Sequence, residues 1–308
     1  MSQSKFQLSF LHPRYWLVWF GVVLLWLTVT LLPYRVLIKL GGGIGLFLMS
    51  MAKKRQKTAD RNLELCFPDM PQAEKDRILR GHAKSLGIAI METGMAWWWP
   101  TWRIQDLVTI TGLEHIEQAK KEGKGILLFA THTFCLEISG RLLTTQQDKV
   151  TSVYRPHNNA VIEHLQVCGR NRSVKLISKR NIRAMITALE NQESVWYTSD
   201  QDFGRRKAVF VPFFAVPDAA TVIGASILTK SAPTATLPYN VIRNDDGSGY
   251  RIDIEAPLEN FPCGDDTQDA IYSNSVIEEM IMKAPEQYMW LHRRFKTRPN
   301  KEDPSLYS

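Results

Sequence analysis

The sequence has no C-x-x-C pair, and its four cysteines, Cys66, Cys135, Cys168 and Cys263, lie far apart. That spacing argues against a zinc ribbon or a disulfide framework and fits reduced, cytosol-facing thiols. G-x-S-x-G is missing, which removes the nucleophile elbow of an α/β-hydrolase. Neither G-x-x-x-x-G-K-[ST] nor G-x-G-x-x-G occurs, so nucleotide binding lacks a phosphate-cradling loop. Internal repeats and low-complexity segments are also lacking. What remains is an ordinary globular composition: 308 residues, 44% hydrophobic, enough to bury a full core. Acid is the minority charge, with 31 Asp and Glu against 38 Lys and Arg, a formal +7. That balance suits an anionic partner or plain solubility, and does not choose between them.

Long apolar runs are scarce too: one segment is read as a membrane span. From Tyr15 to Leu32 there are 18 residues without a charge, between Arg14 and Arg35. A helix of that length covers ~27 Å, close to the ~30 Å hydrocarbon layer. Trp16 and Trp19 stand where an interfacial belt would be. A cleaved signal peptide would need a small-residue site, and Leu32-Pro33-Tyr34-Arg35 offers none. The cations near the span (Lys5 and Arg14 before it, Arg35 and Lys39 after it) give no orientation. Lys53, Lys54, Arg55, Lys57 and Arg61 tip the balance towards a cytoplasmic main body, and would also suit anionic lipid.

The expected organisation is a tail at 1–14, the anchor at 15–32, a mainly helical membrane-proximal segment at 33–111, and an α/β region at 112–308. In the helical segment Gly41-Gly42-Gly43 reads as a turn. The run Trp97-Trp98-Trp99-Pro100-Thr101-Trp102 suits either core or headgroup boundary. Beyond Gly112, short apolar runs alternate with helical stretches. Strands are expected at Gly125–Ala130, Lys149–Tyr154, Val174–Ile177, Ser194–Ser199, Thr234–Ile242 and Tyr250–Glu255. Helices are expected near 134–144, 159–169, 182–191 and 267–283, with Ala219–Ser231 as a further element. Strand–helix alternation implies a mixed, mainly parallel sheet flanked by helices, an α/β fold. In such sheets sites gather at the carboxyl ends of strands, which here carry Thr131-His132, Tyr154-Arg155 and Asp200.

His132 and Glu137 form H-x-x-x-x-E directly after the Gly125–Ala130 strand. On one unbroken helix they would point ~140° apart. They meet only if His132 sits in the turn and Glu137 in the first helical turns. A neutral imidazole would then take a proton from an attacking hydroxyl, with the carboxylate fixing its tautomer. With no nucleophile motif in the chain, the substrate is expected to bring its own hydroxyl.

Nine segments carry a family resemblance over nearly the whole chain: LHPRYWLVWFG, RNLELCFP, METGMAWWWP, H-T-F-C-L-E, VYRPHNN, G-R-N-R, SDQDFGRR, FVPFFAVPDAAT and APEQYMWLHRRFKTRP. In these the chain resembles the late acyltransferases of lipid A synthesis, the branch that adds the first secondary acyl chain to di-Kdo lipid IVA. Together with the single apolar run and the basic cluster after it, the resemblance makes the expected protein an inner-membrane, single-pass enzyme facing the cytoplasm. Acyl carrier protein would supply a fatty-acyl thioester, with laurate expected and palmitoleate the alternative. The acceptor would be the 3-hydroxyl of a hydroxyacyl chain of that lipid A precursor. No metal, no bound cofactor and no nucleic acid are implied, and membrane lipids are the remaining partner.

His132 matches the family base and Glu137 its partner carboxylate. Arg170 matches a family arginine, read as holding a phosphate or stabilising oxyanion charge. Asp200 also matches, and would orient Arg170 or another basic group, or cap a turn. Arg155, Arg205, Arg206, Arg293, Arg294, Lys296 and Arg298 are candidates for lipid phosphates, Kdo carboxylates or the acidic carrier. Asp202, beside Asp200, lacks the histidines a metal site would need. The competing readings are a thioesterase using water and a membrane-attached lipid binder without catalysis.

Overall fold

A computed structural model describes residues 6–178 and 181–307. Lys5 lies outside the described residues. Short 3-10 turns at Leu8–Leu11 and Pro13–Tyr15 lead into α1 (Trp16–Leu31). The Trp19 indole fastens that lead-in by donating to the Phe10 carbonyl, at 2.8 Å. Pro33 ends α1, because the residue before a proline disfavours helical backbone; Leu32 is extended. The chain restarts as α2 (Tyr34–Met51), α3 (Lys53–Cys66), α4 (Gln72–Trp98) and the short α5 (Thr101–Ile104).

Two expectations fail here. Gly41, Gly42 and Gly43 are not a turn but the interior of α2. They serve close packing: a Cβ on Gly45 would lie 2.1 Å from the Ala83 carbonyl oxygen, and one on Gly87 would lie 2.1 Å from that of Gly41. Small residues four apart let two helix backbones touch, as in membrane helix pairs. α2 is also a second helix long and apolar enough to span a membrane, despite Arg35 and Lys39. Its mean hydropathy is 1.3 against 1.6 for Pro13–Leu31. The difference lies in cover. α2 is one-third buried, mostly against α4, whereas α1 is nearly bare and exposes Trp16, Leu17 and Phe20.

The α/β part follows: β1 (Val108–Thr111), α6 (Leu113–Lys121), β2 (Gly125–Ala130), α7 (Leu136–Leu143), β3 (Val150–Tyr154), α8 (Ala160–Arg170), β4 (Val174–Ser178), α9 (Ile182–Glu190) and β5 (Ser194–Thr198). Then come β6 (Ala208–Phe213), β7 (Val216–Val222), α10 (Gly224–Ser231), β8 (Thr234–Arg243), β9 (Tyr250–Ile254) and α11 (Asp266–Met282). Seven strands form one sheet in the order β1-β9-β8-β2-β5-β3-β4, antiparallel only between β8 and β9. The mainly parallel sheet is as expected from the strand–helix alternation. β1 falls within the stretch read as mainly helical, and the separate β6–β7 hairpin was not expected. Ala219–Ser231 therefore divides into the end of β7 and α10.

β2 is buried at all six residues because it lies between two parallel neighbours with cover on both faces. Its side chains alternate between two cores. Ile126, Leu128 and Ala130 pack with Met91 and Met95 of α4 and Ile138 and Leu142 of α7. Leu127 and Phe129 pack with Leu63 of α3, Met185 of α9 and Ile277 of α11. Burying each large apolar side chain is worth about 1.5–3 kcal/mol. This double anchorage fixes the carboxyl end of β2, where His132 emerges.

Candidate active site

β2 pairs with β5 in register Ala130↔Thr198, and two residues further on in each chain stand His132 and Asp200. The His132 Nδ1 lies 2.7 Å from Asp200 Oδ1, and the His132 amide donates to Asp200 Oδ2 at 2.9 Å. Asp200 is wholly buried and accepts on both oxygens. Burial works against its ionisation, but the His132 imidazole and amide outweigh that and hold its carboxyl below the usual carboxylate range. An acceptor-only carboxylate requires Nδ1 to carry the proton, so Nε2 of the neutral ring keeps its lone pair. Thr198 Oγ1 lies 3.4 Å from Nε2.

A strap from the C-terminal segment locks this turn. Met289 donates its amide to the His132 carbonyl, and Phe134 donates to that of Gln287, both at 2.9 Å; Thr133 bridges Tyr288. Gln287 is itself buried, paired through its side-chain amide with the backbone of Arg243. The His292 ring stands 6.1 Å from that of His132 and meets Gln201 Nε2 at 2.9 Å. Burial above all pushes His292 below the ordinary histidine range.

Glu137 does not hold His132. It sits in the first turn of α7, where its carboxylate takes the Arg170 Nε at 3.0 Å and Nη2 at 2.6 Å, and the Trp97 indole at 2.7 Å. Glu137, expected to serve His132, serves Arg170 instead, and the basic group that Asp200 orients is His132. The turn at Thr133–Cys135 accounts for this, since α7 begins only at Leu136 and carries Glu137 toward α8. Glu137 raises the Arg170 pKa against the opposing effect of burial. Gly169 makes room for the third member, because a Cβ there would lie 2.3 Å from Trp97 Cγ.

His132, Glu137 and Arg170 line one cavity of about 640 Å³, together with Leu136, Val153, Trp196 and Phe203, while Asp200 is buried. Arg155, exposed at the end of β3, lines it, as do Arg206 and Lys207. Other expected cations are engaged elsewhere. Arg205 donates to the Pro299 carbonyl, and Arg298 holds Asp218 through two bonds. Arg294 is buried, donating to Ala220 and Thr221. Arg293 and Lys296 are exposed, with Arg293 beside the Tyr307 ring. Asp202 fixes a turn by accepting from Gly204 and Thr297. The indole run is split: Trp99 is core, bonded to the Val29 carbonyl, while Trp102 is 70% exposed.

Sequence reasoning missed Thr198, the Tyr288-Met289 strap and the Trp97 contact. For the strap a signal existed, the APEQYMWLHRRF run, but it gave no clue to a structural role.

With this geometry in view, the chain's similarities are specific. The family described as bacterial lipid A biosynthesis acyltransferase matches residues 3–297. The chain is 44% identical over 306 residues, 99% of each protein, to the lipid A biosynthesis palmitoleoyltransferase of Escherichia coli (strain K12). It is 44% identical over 296 residues, 96% of each, to the lipid A biosynthesis lauroyltransferase of the same organism. Similarity falls to 28% over 299 residues, 96% of this chain and 91% of the relative, for that organism's lipid A biosynthesis myristoyltransferase. The cavity with its strand-end histidine thus lies in a chain that belongs to the bacterial lipid A biosynthesis acyltransferase family.

Proposed function

We propose that the protein transfers a fatty-acyl chain, laurate by expectation, from acyl carrier protein to the 3-hydroxyl of a hydroxyacyl chain of di-Kdo lipid IVA. The observation that carries this reading is the His132 ring, held at Nδ1 by buried Asp200 with Nε2 turned to an apolar cavity. Nε2 takes the hydroxyl proton as the oxygen bonds to the thioester carbon. The carbon–sulfur bond then breaks, and the same proton passes to the departing thiolate. Arg170, aligned by Glu137 and Trp97, stabilises the negative charge on the carbonyl oxygen. Arg155 and Arg206 at the mouth are suited to lipid phosphates. No metal or resident cofactor takes part, and the carrier's own arm brings the thioester.

We further propose that α1, with or without α2, anchors the enzyme in the inner membrane with the cavity on the cytoplasmic side. The exposed apolar face of α1 and the basic start of α3 support that placement.

One observation favours a second route. Thr198 Oγ1, at 3.4 Å from Nε2, completes a Thr–His–Asp array through which an acyl-threonine could form. The contact is longer than a strong hydrogen bond, so direct attack by the lipid is preferred. The experiment is mass spectrometry of the lipid product made by the purified protein from a mixed pool of acyl carrier proteins. One added acyl group on a hydroxyacyl chain supports the reading; free fatty acid independent of acceptor would replace it with a thioesterase.

A further inference from the structure

The cavity passes around a split in the sheet instead of lying along one face. β3 and β5 stay in register only at Thr151↔Val195 and Ser152↔Trp196. Beyond that point β3 remains with β4 as far as Tyr154↔Ser178, and β5 remains with β2 as far as Ala130↔Thr198. The sheet therefore parts at its carboxyl end. Three consecutive residues from each side, 152–154 and 196–198, line the gap. Consecutive strand residues face opposite sides, so the cavity reaches both faces.

The two sides differ. On the α7 face the wall is Gly140, Val174 and Trp196, all buried. A Cβ on Gly140 would lie 3.2 Å from Val174 Cγ1 and 3.4 Å from Trp196 Cζ3, so a single methyl tightens this end. On the other face stand Met185, Ile227 and Leu228, and the exposed Arg206 and Lys207 belong to the same lining. The first wall is formed by buried residues, and the second adjoins the exposed Arg206 and Lys207.

Acyl transfer onto a hydroxyacyl chain needs two hydrocarbon chains to diverge from one reacting point. The donor's chain leaves the thioester carbon, and the acceptor's chain continues past its hydroxyl-bearing carbon. Resting on the transfer reading above, we propose that the two chains take opposite faces of the split sheet. The donor chain enters the lobe walled by Gly140, Val174 and Trp196, where a floor can measure length. The acceptor chain takes the lobe of Met185, Ile227 and Leu228, which leaves its anionic headgroup beside Arg206 and Lys207. Gly140 and Trp196 then set donor length, and Ile227 sets acceptor fit.

Photolabelling of the full-length wild-type protein tests the assignment without requiring turnover. A lauroyl carrier protein with a terminal diazirine should label residues 136–143 or 174–178. A lipid A precursor with a diazirine on its hydroxyacyl chain should label 182–190 or 224–231. Donor label on α9 or α10, or both probes on one lobe, overturns the proposal. Correct labelling without acyl transfer supports it while counting against the transfer reading alone.

Competition between donors differing by two methylenes supplies the second measurement. Gly140→Ala should shift the kcat/KM ratio toward the shorter donor by roughly 10-fold or more, and Trp196→Leu toward the longer. Opposite shifts cannot come from general misfolding. Ile227→Trp should raise the acceptor KM and leave the donor ratio in place. If Ile227→Trp moves the donor ratio and Gly140→Ala does not, the lobes are wrongly assigned.

Discussion

Two hydrogen-bonded pairs bring His132, Glu137 and Arg170 to one cavity, and they are built differently. His132 and Asp200 stand on adjacent strand ends in the middle of the sheet, joined by two hydrogen bonds and locked by the C-terminal strap. Glu137 and Arg170 stand on two helices, α7 and α8, and are steadied by an indole from a third. The first pair leaves a lone pair free on a ring nitrogen, which suits proton transfer. The second uses up the carboxylate and leaves a fixed positive charge, which suits an anion. In the proposed reaction the first pair moves a proton and the second holds charge.

Substitutions should separate these roles in graded order. His132→Ala removes the base and should lower kcat by on the order of 10⁴-fold, measured as carrier release in the presence of acceptor. Asp200→Asn keeps the shape but disturbs the tautomer, with an expected loss of on the order of 10³-fold. The same variant has a stability signature. The Asp200 carboxyl is depressed in the folded state, so its contribution is full above its unfolded value near 3.8 and is lost as pH falls through the lower folded value. Thermal melting of Asp200→Asn should therefore depend less on pH below about 4 than that of the wild type.

Arg170→Ala should cost about 10²–10³-fold, chiefly in kcat, and Arg170→Lys should not restore it because the two-pronged contact is lost. Glu137→Gln removes one support but keeps the guanidinium, so a loss of roughly 10-fold is expected. Equal losses for Glu137→Gln and Asp200→Asn would erase the distinction between the pairs. Thr198→Val should cost less than about 10-fold. A complete loss there, with no early burst of carrier release, would instead favour the acyl-threonine route.

The fold was legible where local pattern and burial agree. GILLFA reads as a central strand because β2 really is covered on both faces. The helices after it follow from their period. Which carboxylate serves His132 was not legible, because the chain runs β2, β3, β4, β5 while the sheet places β5 beside β2. Glu137 is near in sequence, and Asp200, 68 positions away, is near in space. The glycines of α2 resemble a turn for a related reason: only the partner helix α4 reveals that they are contact points. The β6–β7 hairpin hides in FVPFFAVPDAAT, whose prolines and missing Asn-Gly turn argue against strands. The closeness of His132 and Glu137 in the cavity lining was foreseeable; their lack of mutual contact was not.

On this geometry Asp200 alone sets the proton position on His132. Nitrogen-15 NMR of the histidine side chains, with His132 assigned by its loss in His132→Ala, tests it most directly. The prediction is a neutral ring protonated at Nδ1 and bare at Nε2, disturbed by Asp200→Asn and unaltered by Glu137→Gln. A ring protonated at Nε2, or one that responds to Glu137→Gln as strongly as to Asp200→Asn, would contradict the account.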